Sequence, residues 1–379
     1  MTTWTPQQTQ PVQGQQPWTL PARHSPLFYL LTTILLAAGV GSFVAVIPLL
    51  SEAEGGGKAT IAAILALIPV VVVTGILFWV DSWEPEPRWL MAGMFAWGGG
   101  PAVLIALWLN TDWAEHVARS TANSYKGELW GVVISAPIVE EAAKGIGVLI
   151  AFLVFYRYFN GPIDGICYGA MSGLGFAFTE NILYFTRFWD SLGETYTARA
   201  LTSPLLHPIS TAMMGLMLGF AVYAKSRWIA IPYFLLGYLA GVLIHGMHNG
   251  SASIDEFSFL VWGFQVPSYL AALVLVLWLR HDEVNIIRAR LTEYQRAGWF
   301  APYEVEMLTS PSGRRRAKAW ASSRGQRTAM KRFQQESTHL ALNRQRAAQG
   351  NVSIGRAQAI EARSLQAVGA SRAQFLGAR

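Results

Sequence analysis

An all-α, polytopic membrane helix bundle of about eight transmembrane helices, carrying a basic cytoplasmic tail, is the fold class this sequence predicts. Three observations lead there. Of 379 residues, 52% are hydrophobic and only 14% charged, with a mean hydropathy of +0.30; soluble domains usually carry about 25% charged residues. Apolar runs long enough to cross a hydrocarbon layer of about 30 Å recur along the first three quarters of the chain. The 15 Trp, 13 Tyr and 19 Phe suit a protein with two membrane–water interfaces, where amphipathic rings settle at headgroup level. The one cysteine, Cys167, excludes an intrachain disulfide framework and a cysteine cage for a metal.

Residues 1–26 are rich in Gln, Thr and Pro and lack the basic stretch and apolar run of a cleavable signal, so they read as a short disordered extension. Spans follow near 27–50, 59–80, 89–109, 130–155, 163–185, 205–224, 228–250 and 259–279, giving a transmembrane domain over 27–279. Eight crossings put both termini on one side. Residues 1–279 hold 11 Lys/Arg and 16 Asp/Glu, a net −5, whereas 280–379 hold 18 and 7, a net +11. Arg280, Arg288, Arg290 and Arg296, directly after the last span, mark that side as cytoplasmic in a cell-membrane protein. The tail 280–379 opens with an expected helix, Glu283 to Ala297, and continues through Arg314-Arg315-Arg316 into an Ala/Arg/Gln/Ser-rich stretch. With so few large apolar residues it reads as partly helical or disordered and unable to bury a core. Anionic lipid is the partner its charge could attract, at about 1 kcal/mol per basic residue near the surface; no specific nucleic acid is expected.

Charged side chains at mid-membrane cost at least about 2.5–3.5 kcal/mol on insertion scales, so each requires a reason. They gather in four consecutive spans. The fourth reads Pro137-Ile138-Val139-Glu140-Glu141-Ala142-Ala143-Lys144, with the two carboxylates about 15 Å along the helix axis. Glu140 and Lys144 share one helical face, and Glu141 points elsewhere and needs another partner. The fifth carries Gly165, Gly169 and Gly173 at four-residue intervals, a face for close helix approach, then Glu180 and Asn181. The sixth places His207 about one turn inside. The seventh ends His245-Gly246-Met247-His248-Asn249, where His245 shares a face with His248 or Asn249. Because spans alternate direction, all of these fall in one leaflet, the outer one if the tail is cytoplasmic. A single polar cavity is the economical reading.

Such a set suits hydrolysis. In a metal-assisted version, His and carboxylate ligands hold Zn2+ with one position open for water, and a free Glu acts as base. In a metal-free version, a Glu in an apolar site activates water directly, with His and Asn stabilising the oxyanion. No Ser/His/Asp or Cys/His nucleophile set and no HExxH competes, and Gly173-x-Gly175 lies inside a membrane helix, where a nucleotide loop is implausible.

Glu140-Glu141-x-x-Lys144, Phe176-x-x-x-Glu180-Asn181, His207-x-x-x-Thr211 and His245-x-x-His248-Asn249 follow in order on those four spans. Together they resemble the PrsW family of intramembrane proteases and, more distantly in pattern, the glutamate-dependent CAAX-type prenyl endopeptidases. The resemblance covers about residues 130–250. It implies a multi-pass membrane protease, classed with the metalloproteases, that acts on a membrane-anchored protein substrate. The family's best-known role is cleavage of an anti-sigma factor outside the cytoplasm. By position it implies a catalytic core of Glu140, Glu141, Glu180, His207 and His245. Glu141 or Glu140 would be the base, and Glu180, His207 and His245 the ligands of a Zn2+, if a metal is used. Lys144, Asn181, His248 and Asn249 would support them; the family shows the Asn of the last motif more regularly than a second His. The rival reading is a proton-coupled transporter using the same Glu and His residues as a relay. A relay should continue toward the other face, and these residues do not.

Overall fold

The computed structural model describes residues 56–121, 130–224, 227–252, 263–350 and 354–377, with a few positions between 33 and 41. The extension 1–26, nearly all of the span expected at 27–50 and the start of the one at 259–279 lie outside the described residues. Every regular element among the described residues is helical.

An uninterrupted apolar run makes Gly56–Val80 one helix, α1. Ala62 and Ala66 are buried, while Ile64, Leu67, Ile68, Val71 and Val72 are exposed, a face suited to lipid tails. Arg88–Trp97, a π-helical Gly98–Ala102 and Val103–Thr121 form α2. Pro101 inside the π turn removes a backbone donor, and Thr179 Oγ1 donates to the Gly99 carbonyl at 2.8 Å. A π-helical Gly131–Ser135 leads into α3, Ala136–Val154, and Pro162–Arg187 is α4. Leu192–Tyr196 continues as π-helical Thr197–Thr202 to give α5, followed by α6, Leu206–Ala221, α7, Ala230–Ala252, and α8, Val266–Arg296. By length and composition, Gly57–Val80, Arg88–Val117, Trp189–Ala221 and Ala230–Ala252 are able to cross a membrane. The helices expected at 130–155 and 163–185 are present as α3 and α4; α3 is less apolar because it carries Glu140, Glu141 and Lys144.

α4 is the central post, packed against α1, α2, α3 and α6 and buried along most of its length. Its glycine face does what the spacing predicts. A Cβ on Gly165 would fall on the Gly215 carbonyl of α6, and one on Gly173 would fall on the His207 carbonyl. Backbone therefore lies against backbone, and the register of α4 on α6 sets the height of His207. Gly173→Ala should destabilise the protein by about 1–3 kcal/mol and lower its activity by displacing His207. Gly193→Ala, with no described atom within 4 Å of a new Cβ, should leave activity unchanged and stability equal or up to about 1 kcal/mol higher. Thermal unfolding of both variants in detergent checks this, and equal midpoints would refute it.

The chain divides into a unit ending at Ala289 and another over Arg290–Arg379. The second contains the end of α8 and α9 (Pro302–Leu308), α10 (Pro311–Ser322), α11 (Arg327–Ala348) and α12 (Ile354–Leu376). Here the structure differs from the expectation that this segment buries no core. Phe333, Leu340, Ala341 and Val368 are fully buried, joined by Phe300, Leu308 and Phe375. Ala321, Ala329, Ala357 and Ala367 are also buried, and small contact residues let helices pack closely around few large side chains. Gly298 and Gly325, at φ +82° and +68°, end α8 and α10 in the left-handed conformation that glycine adopts without strain.

Candidate active site

Two helices contribute the first turn or two of their length to the site and two contribute their last. Near the start of α3, Pro137 and Ala136 enter the helix and Glu140, Glu141 and Lys144 follow, all buried. α6 supplies His207, Ser210 and Thr211 from its first two turns, α4 supplies Glu180 and Asn181, and α7 supplies His245.

Glu141 is the most heavily bonded of the set. Its Oε1 accepts from Lys144 Nζ at 2.6 Å, Ser210 Oγ at 2.9 Å and His245 Nδ1 at 2.9 Å, and its Oε2 accepts from Thr211 Oγ1 at 3.0 Å. Lys144 Nζ also donates to His207 Nδ1 at 3.0 Å and sits 4.3 Å from the centre of the Phe176 ring. A lysine only donates, so His207 carries its proton on Nε2 and donates it to Glu180 Oε2 at 2.8 Å. Arg199, from α5, donates to the same Glu180 oxygen and, through Nε, to Asn181 Oδ1 at 2.9 Å. His207 and His245 meet edge to face, their centroids 4.9 Å apart. Glu140 is the exception. Its Oε2 is buried without a hydrogen-bond partner among the described residues, and Lys144 Nζ and His245 Nε2 each stand 3.9 Å away.

The residues present fit a metal ion. One donor atom from each of Glu140, His207 and His245 lies within 4.8 Å of the other two. Donating through Nδ1 to Glu141 leaves the His245 Nε2 lone pair free, and a carboxylate behind an imidazole is how ligating rings are commonly oriented. Glu140 Oε2 has no competing donor among the described residues. Two imidazoles and one carboxylate match a zinc site that keeps a position for water.

Each residue that the sequence singled out can now be placed. Glu140, Glu141, Lys144, His207 and His245 form one cluster, and Glu180 and Asn181 join it through His207 and Arg199. His248 and Asn249 make other contacts: His248 Nδ1 lies 2.9 Å from Gln265 Nε2, and Asn249 Nδ2 donates to the Val132 carbonyl at 2.8 Å. Among candidate metal donors, the structure groups Glu140, not Glu180, with the two histidines. Ser210 and Arg199 were not legible as site residues. Ser210 lies three residues after His207 on the same helical face, which was a usable signal. Arg199 lies in a stretch that reads as a connection between spans and is in fact helical.

A family model described as PrsW family intramembrane metalloprotease matches residues 86–279, just over half of the chain. The chain belongs to the PrsW family. Among its relatives, Protease PrsW of Geobacillus kaustophilus is 30% identical over 212 residues, covering 55% of this chain and 84% of the relative. Protease PrsW of Clostridioides difficile is 26% identical over 190 residues (49% and 76%), and that of Bacillus subtilis 26% over 183 (48% and 78%). No solved structure matches the chain. As a PrsW-family member the protein is a membrane peptidase, an intramembrane protease rather than a transporter. The matched stretch holds every site residue and extends past 130–250 to include α2 and the start of α8.

Proposed function

We propose that this protease hydrolyses peptide bonds of membrane-anchored proteins at the cluster of α3, α4, α6 and α7, with a Zn2+ held by Glu140, His207 and His245. The observation that carries the reading is Glu140 Oε2, buried, without a hydrogen-bond donor among the described residues and facing His245 Nε2 at 3.9 Å. A bound Zn2+ supplies a Lewis acid that brings the pKa of water down toward about 7. The roles of two carboxylates expected from the sequence thereby exchange: Glu140 becomes a ligand, and Glu180 becomes the base. Ligation through His207 Nε2 would require the ring proton on Nδ1, in place of the hydrogen bond from Lys144, and would leave Glu180 free to take a proton from the attacking water and return it to the departing amine. Arg199 and Asn181 fix the direction of its carboxylate. Glu141 keeps the His245 ring in the tautomer that presents Nε2 inward.

The substrate class is a membrane-anchored, anti-sigma-factor-like protein cut on the extracytoplasmic side. That side rests on reading the chain as eight crossings with both termini cytoplasmic. The same Glu140 oxygen also supports a metal-free reading, in which Glu140 itself takes the proton of water. Metal content of the full-length protein in detergent, wild type beside His245→Ala, separates the two. About one zinc per chain, lost in the variant, is expected. A folded, active wild type without stoichiometric metal would overturn the zinc site and leave Glu140 as base.

A further inference from the structure

A second buried acidic cluster lies at the opposite end of α4, 16 residues or about 24 Å from Glu180 along the helix axis. The connection between α1 and α2 reads Asp81-Ser82-Trp83-Glu84-Pro85-Glu86-Pro87. Loops normally keep carboxylates in water. Here Asp81, Glu84 and Glu86 are 5%, 7% and 6% exposed, and Asp164, in the first turn of α4, is 3% exposed. Three of the four are anchored through one oxygen. Asp81 Oδ2 accepts from the Glu86 amide at 2.7 Å, Asp164 Oδ2 accepts from the Asn160 and Gly161 amides at 2.5 and 3.2 Å, and Glu86 Oε2 accepts from the Tyr168 hydroxyl.

Helix capping accounts for the Asp164 Oδ2 contacts and loop closure for Asp81 Oδ2. Neither accounts for the oxygens that remain. Asp81 Oδ1 is buried and has no hydrogen-bond partner among the described residues. One carboxylate oxygen from each of Asp81, Glu86 and Asp164 lies within 4.8 Å of the other two. The basic residue beside them does not neutralise them by contact: Arg280 directs Nη1 to the Trp79 and Val80 carbonyls and Nη2 to Ser82 Oγ.

We propose that Asp81, Glu86 and Asp164 bind a hard divalent cation, Ca2+ or Mg2+, which ties the α1–α2 connection to the first turn of α4. All-oxygen, all-carboxylate donors select this class over Zn2+, which favours nitrogen and sulfur. Ca2+ bonds oxygen at about 2.3–2.6 Å, so oxygens up to about 5 Å apart share one ion. The site is separate from the His-containing cluster and does not depend on the zinc reading. The competing occupant is a proton. Burial raises Asp81 to about 7, with the Glu84 charge adding to it, and burial with the Asp164 and Glu84 charges pushes Glu86 up as well.

The test uses the full-length protein in detergent after chelation, with Tb3+ as probe and indole excitation, since Trp83 lies in the same loop. Saturable Tb3+ emission, displaced by Ca2+ or by Mg2+, is expected in wild type. Asp81→Asn and Glu86→Gln should each weaken that binding at least ~10-fold while leaving zinc content unchanged. Glu86→Gln serves as the second variant should Asp81→Asn fail to fold. Absence of displaceable emission in wild type would overturn the proposal, as would unaltered affinity in either folded variant. Retained zinc with no Tb3+ site would mean that this cluster holds only protons, with the peptidase reading untouched.

Discussion

Glu140→Gln and His245→Ala should each lower cleavage of a membrane-anchored reporter by about 10²–10⁴-fold while leaving insertion and helicity intact. Glu140→Gln is nearly isosteric and removes the charge from an oxygen with no hydrogen bond among the described residues, so the fold loses little. His245→Ala removes the Nε2 lone pair and leaves Glu141 with Lys144, Ser210 and Thr211 as donors. Glu141→Gln makes the informative contrast. Glu141 acts through His245, so its loss should cost nearer 10–100-fold, with metal bound more weakly but not abolished. Single-turnover cleavage in liposomes, read with zinc content, ranks the three. Near-wild-type turnover by Glu140→Gln would remove it from the site, and a Glu141→Gln defect as deep as that of Glu140→Gln would make the adjacent carboxylates equal partners in the chemistry.

That contrast marks what the sequence could and could not supply. Periodicity and spacing placed Glu140, Glu141, Glu180, His207 and His245 at matching heights, because alternating helices bring the end of one beside the start of the next. Which carboxylate is bonded and which is free depends on side chains from three other helices, and no spacing rule reports that. The glycine face at 165, 169 and 173 was legible because close approach leaves only small residues in its register. Arg199 was missed because a helix with Thr, Arg and polar neighbours looks like a loop, and its partners lie 18 and 19 residues earlier in the chain. The core of Arg290–Arg379 was missed for a related reason: Ala321, Ala329, Ala341, Ala357 and Ala367 make up part of it, and composition does not count alanine as a large apolar residue.

Lys144→Met should destabilise the protein by about 3–5 kcal/mol, the usual cost of removing one partner of a buried ion pair. Lys144 and Glu141 are both fully buried, and their contact is 2.6 Å. Without the ammonium, Glu141 keeps only neutral donors, and Glu140 loses the cation 3.9 Å from its free oxygen. Methionine preserves volume and the packing on Phe176, so the loss should be electrostatic rather than a cavity effect. The double variant Lys144→Met/Glu141→Gln should therefore regain most of the stability, because removing both charges leaves no uncompensated carboxylate at that position. It should not regain activity. His245 would lose the carboxylate that sets its tautomer. Thermal unfolding in detergent and cleavage in liposomes separate the two effects. If Lys144→Met matched wild type in stability, the pair would not be acting as a buried ion pair. If the double variant recovered cleavage, Lys144 and Glu141 would be a packing device with no part in orienting the histidines.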